Sequence, residues 1–105
     1  MKDRYIYPAI FEYEDEQEIA VLFPDLDTAT SGVDEEDALN SARELLGFVM
    51  YGLEEDDEFI PTPSKLKDIS CNDNQKVVLI EVYMPCVRNA VINLTKSSRF
   101  TKKLQ

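Results

Sequence analysis

Between Asp34 and Glu54 apolar residues recur at helical spacing, and this run constrains the fold more than any other feature of the chain. Ala38, Leu39, Ala42, Leu45, Leu46, Val49, Met50 and Leu53 fall, at about 100° per residue, on one stripe roughly 140° wide. A stripe of that width predicts a long helix laid on a core. Asp34 fits the N-cap, because its short side chain can accept from a free first-turn N–H. Asp37 stands three residues on, where it can reach back as in a capping box. Glu35 and Glu36 place negative charge at the positive end of the helix dipole. The opposite face carries Asn40, Arg43, Glu44, Gly47, Tyr51 and Glu54. Gly47 and Tyr51 are out of place on a solvated face, and two readings stand: an ordinary exposed tyrosine, or a docking surface.

The flanking segments read as strands. Residues 5–13 (YIYPAIFEY) are rich in aromatic and β-branched residues, with Tyr5, Tyr7, Ala9, Phe11 and Tyr13 on one face. Pro8 lacks a ladder donor, which predicts an edge strand or a bulge. Residues 14–17 form a polar turn, residues 18–23 a second strand ended by Pro24, and residues 27–31 a short third strand. Gly32 then releases the chain into the helix. After the acidic run 54–58, residues 59–64 form a proline-stiffened connection and 65–74 a loop. Residues 75–84 (QKVVLIEVYM) are apolar on both sides, as in a central strand or one covered twice, and Pro85 ends it. Residues 87–95 alternate well enough to predict a further strand. One domain of residues 1–85 with a basic segment at 86–105 follows from this reading.

Charge divides the chain the same way. Residues 5–60 hold seventeen acids and one base, Arg43, whereas after Glu81 there are only bases: Arg88, Lys96, Arg99, Lys102 and Lys103. The net charge is −10. Such a body repels nucleic acid and attracts a basic partner, while the tail is suited to phosphates. No apolar run approaches the roughly 20 residues of a membrane span, and no signal region follows the first residues, so a cytoplasmic setting is expected. Cys71 and Cys86 are expected as free, small buried hydrophobes.

Catalytic motifs are thin. The chain has no histidine, no glycine-rich phosphate loop and no nucleophile elbow, and it calls for no cofactor. Asp25, Asp27 and Asp34 could in principle gather around Mg²⁺, but a chain with 21 acids always offers such triplets.

An ordered set of short motifs does carry a resemblance. Tyr7-Pro8-Ala9, Phe23-Pro24-Asp25-Leu26, Thr30 with Gly32, Glu36-Asp37-Ala38 and Ile60-Pro61-Thr62-Pro63-Ser64 together resemble the HicB family of antitoxins over residues 5–84. The first turn departs from that family, with Glu16-Gln17 where a glycine is usual. The resemblance implies an α+β, partial ribonuclease-H-like fold of three or four antiparallel strands with the long helix on one face. It implies a non-catalytic protein that binds a small basic mRNA-cleaving toxin, HicA, and forms a homodimer or higher oligomer. Many relatives continue into an operator-binding module, whose opening strand Val91–Thr95 resembles, but its helices have no counterpart here. Expected toxin contacts are Glu36, Glu44, Tyr51 and Glu54; Arg88, Lys96, Arg99, Lys102 and Lys103 are the candidate nucleic-acid contacts. Two other classes remain open: a carboxylate–Mg²⁺ nuclease on the same fold, and a DNA-binding regulator acting through the tail.

Overall fold

A computed structural model describes residues 2–93. Four strands form one antiparallel sheet: β1 (Arg4–Glu12), β2 (Ile19–Phe23), β3 (Thr28–Gly32) and β4 (Gln75–Tyr83), in the order β3-β2-β1-β4. Helix α1 (Glu35–Glu55) lies across one face, and a second helix, α2, begins directly after β4 and covers residues 84–93. The α+β class and the long helix on one sheet face are as expected.

Alternation along β1 decides which face is core. Tyr5, Tyr7, Ala9 and Phe11 are buried on one side, joined by Ile19, Val21 and Phe23 from β2 and by Ile80 and Val82 from β4. Ala38, Ala42, Leu46 and Met50 of α1 close over them, and Met84 completes the core. Small residues at 38 and 42 let the helix approach the sheet closely. Gly32 serves the same end: a Cβ there would lie 2.3 Å from the Ala38 backbone nitrogen. Its glycine is needed for close approach, not for an unusual φ.

Both ends of α1 follow recognised caps. Asp34 Oδ1 accepts from the Asp37 amide at 2.8 Å, and the Asp37 carboxylate accepts from the Val33 amide at 2.9 Å. At the other end the Glu58 amide bonds to the Leu53 carbonyl and the Asp57 amide to the Glu54 carbonyl. This is a Schellman motif with Asp57 at φ 54°, where glycine is usual. Part of the acidic run 54–58 is therefore a helix terminus.

Four expectations need correction. β4 is neither central nor covered twice: it is an edge strand, and Leu79 on its outer side is 53% exposed. β1 is an inner strand, paired with β4 along its whole length. Pro8 is tolerated because β2 pairs only with residues 10–12 of β1, so half of β1 has an edge on that side. Residues 87–93 belong to a helix, not a strand; Pro85 ends β4 but sits in the first turn of α2, where its missing N–H is not needed. Residues 94 and 95 lie outside the described range. Lastly, Cys71 and Cys86 are free but exposed, so neither is a core residue.

Candidate functional site

The expected contact residues separate into two groups once the helices are in place. Glu54 and Arg88, expected to contact different partners, bind each other. Arg88 donates from Nε to Glu54 Oε1 at 3.1 Å and from Nη2 to Oε2 at 2.8 Å, a bidentate pair. Tyr5 adds its hydroxyl to the same Oε2 at 2.9 Å, and Arg88 Nη2 also donates to the Lys2 carbonyl at 2.7 Å. The Glu54 side chain is only 3% exposed and that of Arg88 21%. Burial alone would raise the Glu54 carboxyl, but bonds from Arg88 and Tyr5 outweigh it and hold it below the usual carboxylate range. Tyr5 is pushed up by burial and by the carboxylate it donates to. This cluster joins α1, β1 and α2.

Docking of α2 also explains Gly47. Its position on α1 is buried, and an added Cβ would lie 2.9 Å from a Val87 methyl. The helix therefore buries an arc wider than its apolar stripe, and the solvated face turns toward Ser41, Glu44, Phe48, Tyr51 and Glu55. Glu44, Phe48, Tyr51 and Glu55 follow at spacings of four, three and four, so they form one stripe. Glu44 and Glu55 are exposed and Phe48 is 54% exposed in the middle of the stripe. Tyr51 packs its inner edge on the core and leaves the rest open. Glu36 is exposed one stripe away, in line with Arg43. An aromatic pair flanked by carboxylates on a helix of 21 residues can offer apolar contact and charge together. Sequence reasoning missed Phe48 because the helix phase was set by apolarity alone; the small residue at 47, which marks where α2 docks, was the available signal.

Two of the three aspartates that could gather around a metal hold hydrogen bonds within the fold. Asp25 accepts from the Ser64 amide at 2.9 Å and from its hydroxyl at 2.5 Å, pinning the proline-stiffened segment to the sheet. Tyr7 donates to the Pro61 carbonyl of that segment. Asp34 caps α1 and Asp27 occupies a left-handed turn at φ 50°. Among the described residues no three acidic or cysteine side chains gather as a metal would need. No helix there is long and apolar enough to cross a membrane. Lys96, Arg99, Lys102 and Lys103 lie outside the described residues.

A cleft of about 470 Å³ separates α1 from α2, walled by Asn40, Arg43, Glu44, Val82, Tyr83, Cys86 and Val87. It is open at the surface and holds no cluster of reactive groups beyond the single thiol.

Neither a protein-family model nor a curated protein sequence matches the chain. Among solved structures, a chain from a toxin–antitoxin complex of Streptococcus pneumoniae has the same fold, with a TM-score of 0.71 and 28% sequence identity. That match covers 78% of this chain and 71% of the other.

Proposed function

We propose that this protein is an antitoxin that holds a small basic mRNA-cleaving toxin of the HicA type inactive by lying over its catalytic and RNA-binding surface. The observation that carries this reading is the outer stripe of α1, Glu44, Phe48, Tyr51 and Glu55, on a fold similar to a chain from a toxin–antitoxin complex. A surface of net charge −10 speeds encounter with a cationic partner, and the two rings supply the apolar anchor that scattered acids do not. Glu36 extends the acidic area. Glu54 is left out, because its carboxylate is already bound by Arg88 and Tyr5. Inhibition of this kind is steric and needs no turnover by the antitoxin.

The test is co-expression with the small basic protein encoded by the neighbouring gene. That protein expressed alone is expected to arrest growth, and this chain to rescue growth and co-purify with it. A harmless neighbour that does not bind would overturn the proposal.

A further inference from the structure

No other element covers the outer stripe of α1 among the described residues, and the chain carries a segment that complements it. Residues 94–105 hold four of the chain's eleven bases, Lys96, Arg99, Lys102 and Lys103, and none of its 21 acids. Leu94, Phe100 and Leu104 are set among these bases. The stripe has the opposite make-up. Phe48, which is 54% exposed, and Tyr51 stand between Glu44 and Glu55, and Asp56, Asp57 and Glu58 follow at the helix end.

Reach permits a contact between the two. Val87 of α2 sits against Gly47 on the flank of α1, and Asn93 is six residues further on, about 9 Å along α2 at 1.5 Å per residue. Burial falls in that direction, from Met84 with no exposure to Ile92 at 48%. Twelve further residues extend up to about 40 Å, whereas Glu44 to Glu55 spans only about 16 Å. Tethered so closely, the segment meets α1 at an effective concentration on the order of millimolar.

Charge selects the seat. The cleft between α1 and α2 carries Arg43, the one base of α1, on its wall. On the outer face of the sheet Arg4 lies 3.6 Å from Glu81, and Gln75 donates to Glu12 at 2.7 Å. Glu54 is already held by Arg88. Among the described residues no ion pair takes Glu44 or Glu55. A lysine or arginine placed there can meet a carboxylate and the face of a ring at once. We propose that residues 94–105 lie on the outer stripe of α1, their bases beside Glu44 and Glu55 and Phe100 on the Phe48–Tyr51 pair, and must leave before a basic partner binds there. That competition rests on the antitoxin reading; the contact itself does not. Only chains with the stripe bare bind the partner, so its apparent dissociation constant rises by the inverse of that fraction.

The contact is tested on the full chain with no partner present, by amide NMR spectra of wild type and of a variant carrying Lys96→Gln, Arg99→Gln, Lys102→Gln and Lys103→Gln. All four substitutions lie outside the described fold. The expected result is that the Glu44, Phe48, Tyr51 and Glu55 amides shift in the variant and that the shift is unchanged on dilution. Raising NaCl from about 50 to about 500 mM should narrow the gap between the two proteins, because screening loosens surface charge pairs. Phe48→Ala should in return move the Phe100 and Leu104 amides. Stripe amides that coincide in wild type and variant overturn the proposal. So do shifts confined to Asn40 and Arg43, which put the segment in the cleft, and shifts that vanish on dilution, which assign it to another copy. The neighbouring basic protein is then titrated against both forms, and the variant is expected to bind at least about threefold tighter at low salt. Phe100→Ser keeps the net charge and should tighten binding too, which separates displacement from a change in overall attraction. Equal affinity in wild type and both variants overturns the competition. If the stripe amides shift as expected but the basic protein binds none of the forms, the contact stands and the antitoxin reading alone falls.

Discussion

Arg88 grips Glu54 through two bonds, at 3.1 and 2.8 Å, thirty-four residues away along the chain. The pair is the polar half of the joint between α1 and α2; Val87 against Gly47 is the apolar half. Removing the guanidinium leaves a carboxylate that is only 3% exposed with Tyr5 as its remaining side-chain donor. Arg88→Ala should therefore cost about 2 kcal/mol, below the range for fully buried pairs because Arg88 is partly solvated. Chemical denaturation checks this, and a change below about 0.5 kcal/mol would show the pair to be incidental.

The same pair makes stability depend on acid. The folded Glu54 carboxyl lies below its ordinary value of 4.5, so its contribution is fully present above that value. It is lost as pH falls from there through the folded value. Thermal melts from pH 7 to pH 3 should fall more steeply for wild type than for Glu54→Gln, which is less stable at pH 7 but has no carboxyl to protonate. Parallel curves for the two proteins would refute the linkage.

The two helical glycines should answer alanine in opposite ways. At Gly52 a Cβ meets nothing within 4 Å, so Gly52→Ala should stabilise by about 0.5–1 kcal/mol through helix propensity. At Gly47 it would lie 2.9 Å from one Val87 methyl and 3.3 Å from a Val82 methyl. Overpacking of about 1–3 kcal/mol cancels or exceeds the same gain. Gly32→Ala should be worse than either, since the clash is with backbone. Denaturation midpoints rank the three; Gly47→Ala as stabilising as Gly52→Ala would mean that α2 is not docked where it is described.

The sequence made the sheet and α1 legible because their signals are local. Alternation through Tyr5, Tyr7, Ala9 and Phe11 and the spacing from Ala38 to Leu53 each depend only on which face is buried. Legibility ended where one segment's meaning depended on another's position. Pro8 reads as an edge residue until β2 is seen to stop short of it. Residues 87–93 alternate like a strand, yet they follow a proline that caps as well as breaks. Gly47, Glu54 and Arg88 look like surface residues taken singly. Only the fold shows that Gly47 meets Val87 and Glu54 meets Arg88, and that the solvated face of α1 is centred on Phe48 instead.

Of the three non-glycine residues in left-handed backbone, Glu16, Asp27 and Asp57, the first and last mark avoidable strain. Glu16 sits at φ 59° in the β1–β2 turn and Asp57 at φ 54° ending α1. Glu16→Gly should stabilise by about 1 kcal/mol, because a residue with a Cβ loses roughly that much in this conformation. Asp57→Gly should gain less, since aspartate tolerates the conformation better. Calorimetry of both variants settles it; lower melting temperatures would place the dominant effect in the unfolded chain.

On the proposed contact stripe, aromatic and acidic residues should differ in size and kind of effect. Phe48→Ala and Tyr51→Ala should each weaken binding of the basic partner by about 2 kcal/mol, mainly through faster dissociation, as buried anchors do. Glu44→Gln, Glu55→Gln and Glu36→Gln should each cost no more than about 1 kcal/mol, mainly through slower association, and this loss should fade in high salt. Phe48 is 54% exposed in the free protein, so its truncation should leave the melting temperature nearly unchanged. Surface plasmon resonance at two salt concentrations separates the two rate constants. Unaltered affinity in both aromatic variants would move the contact off α1 altogether.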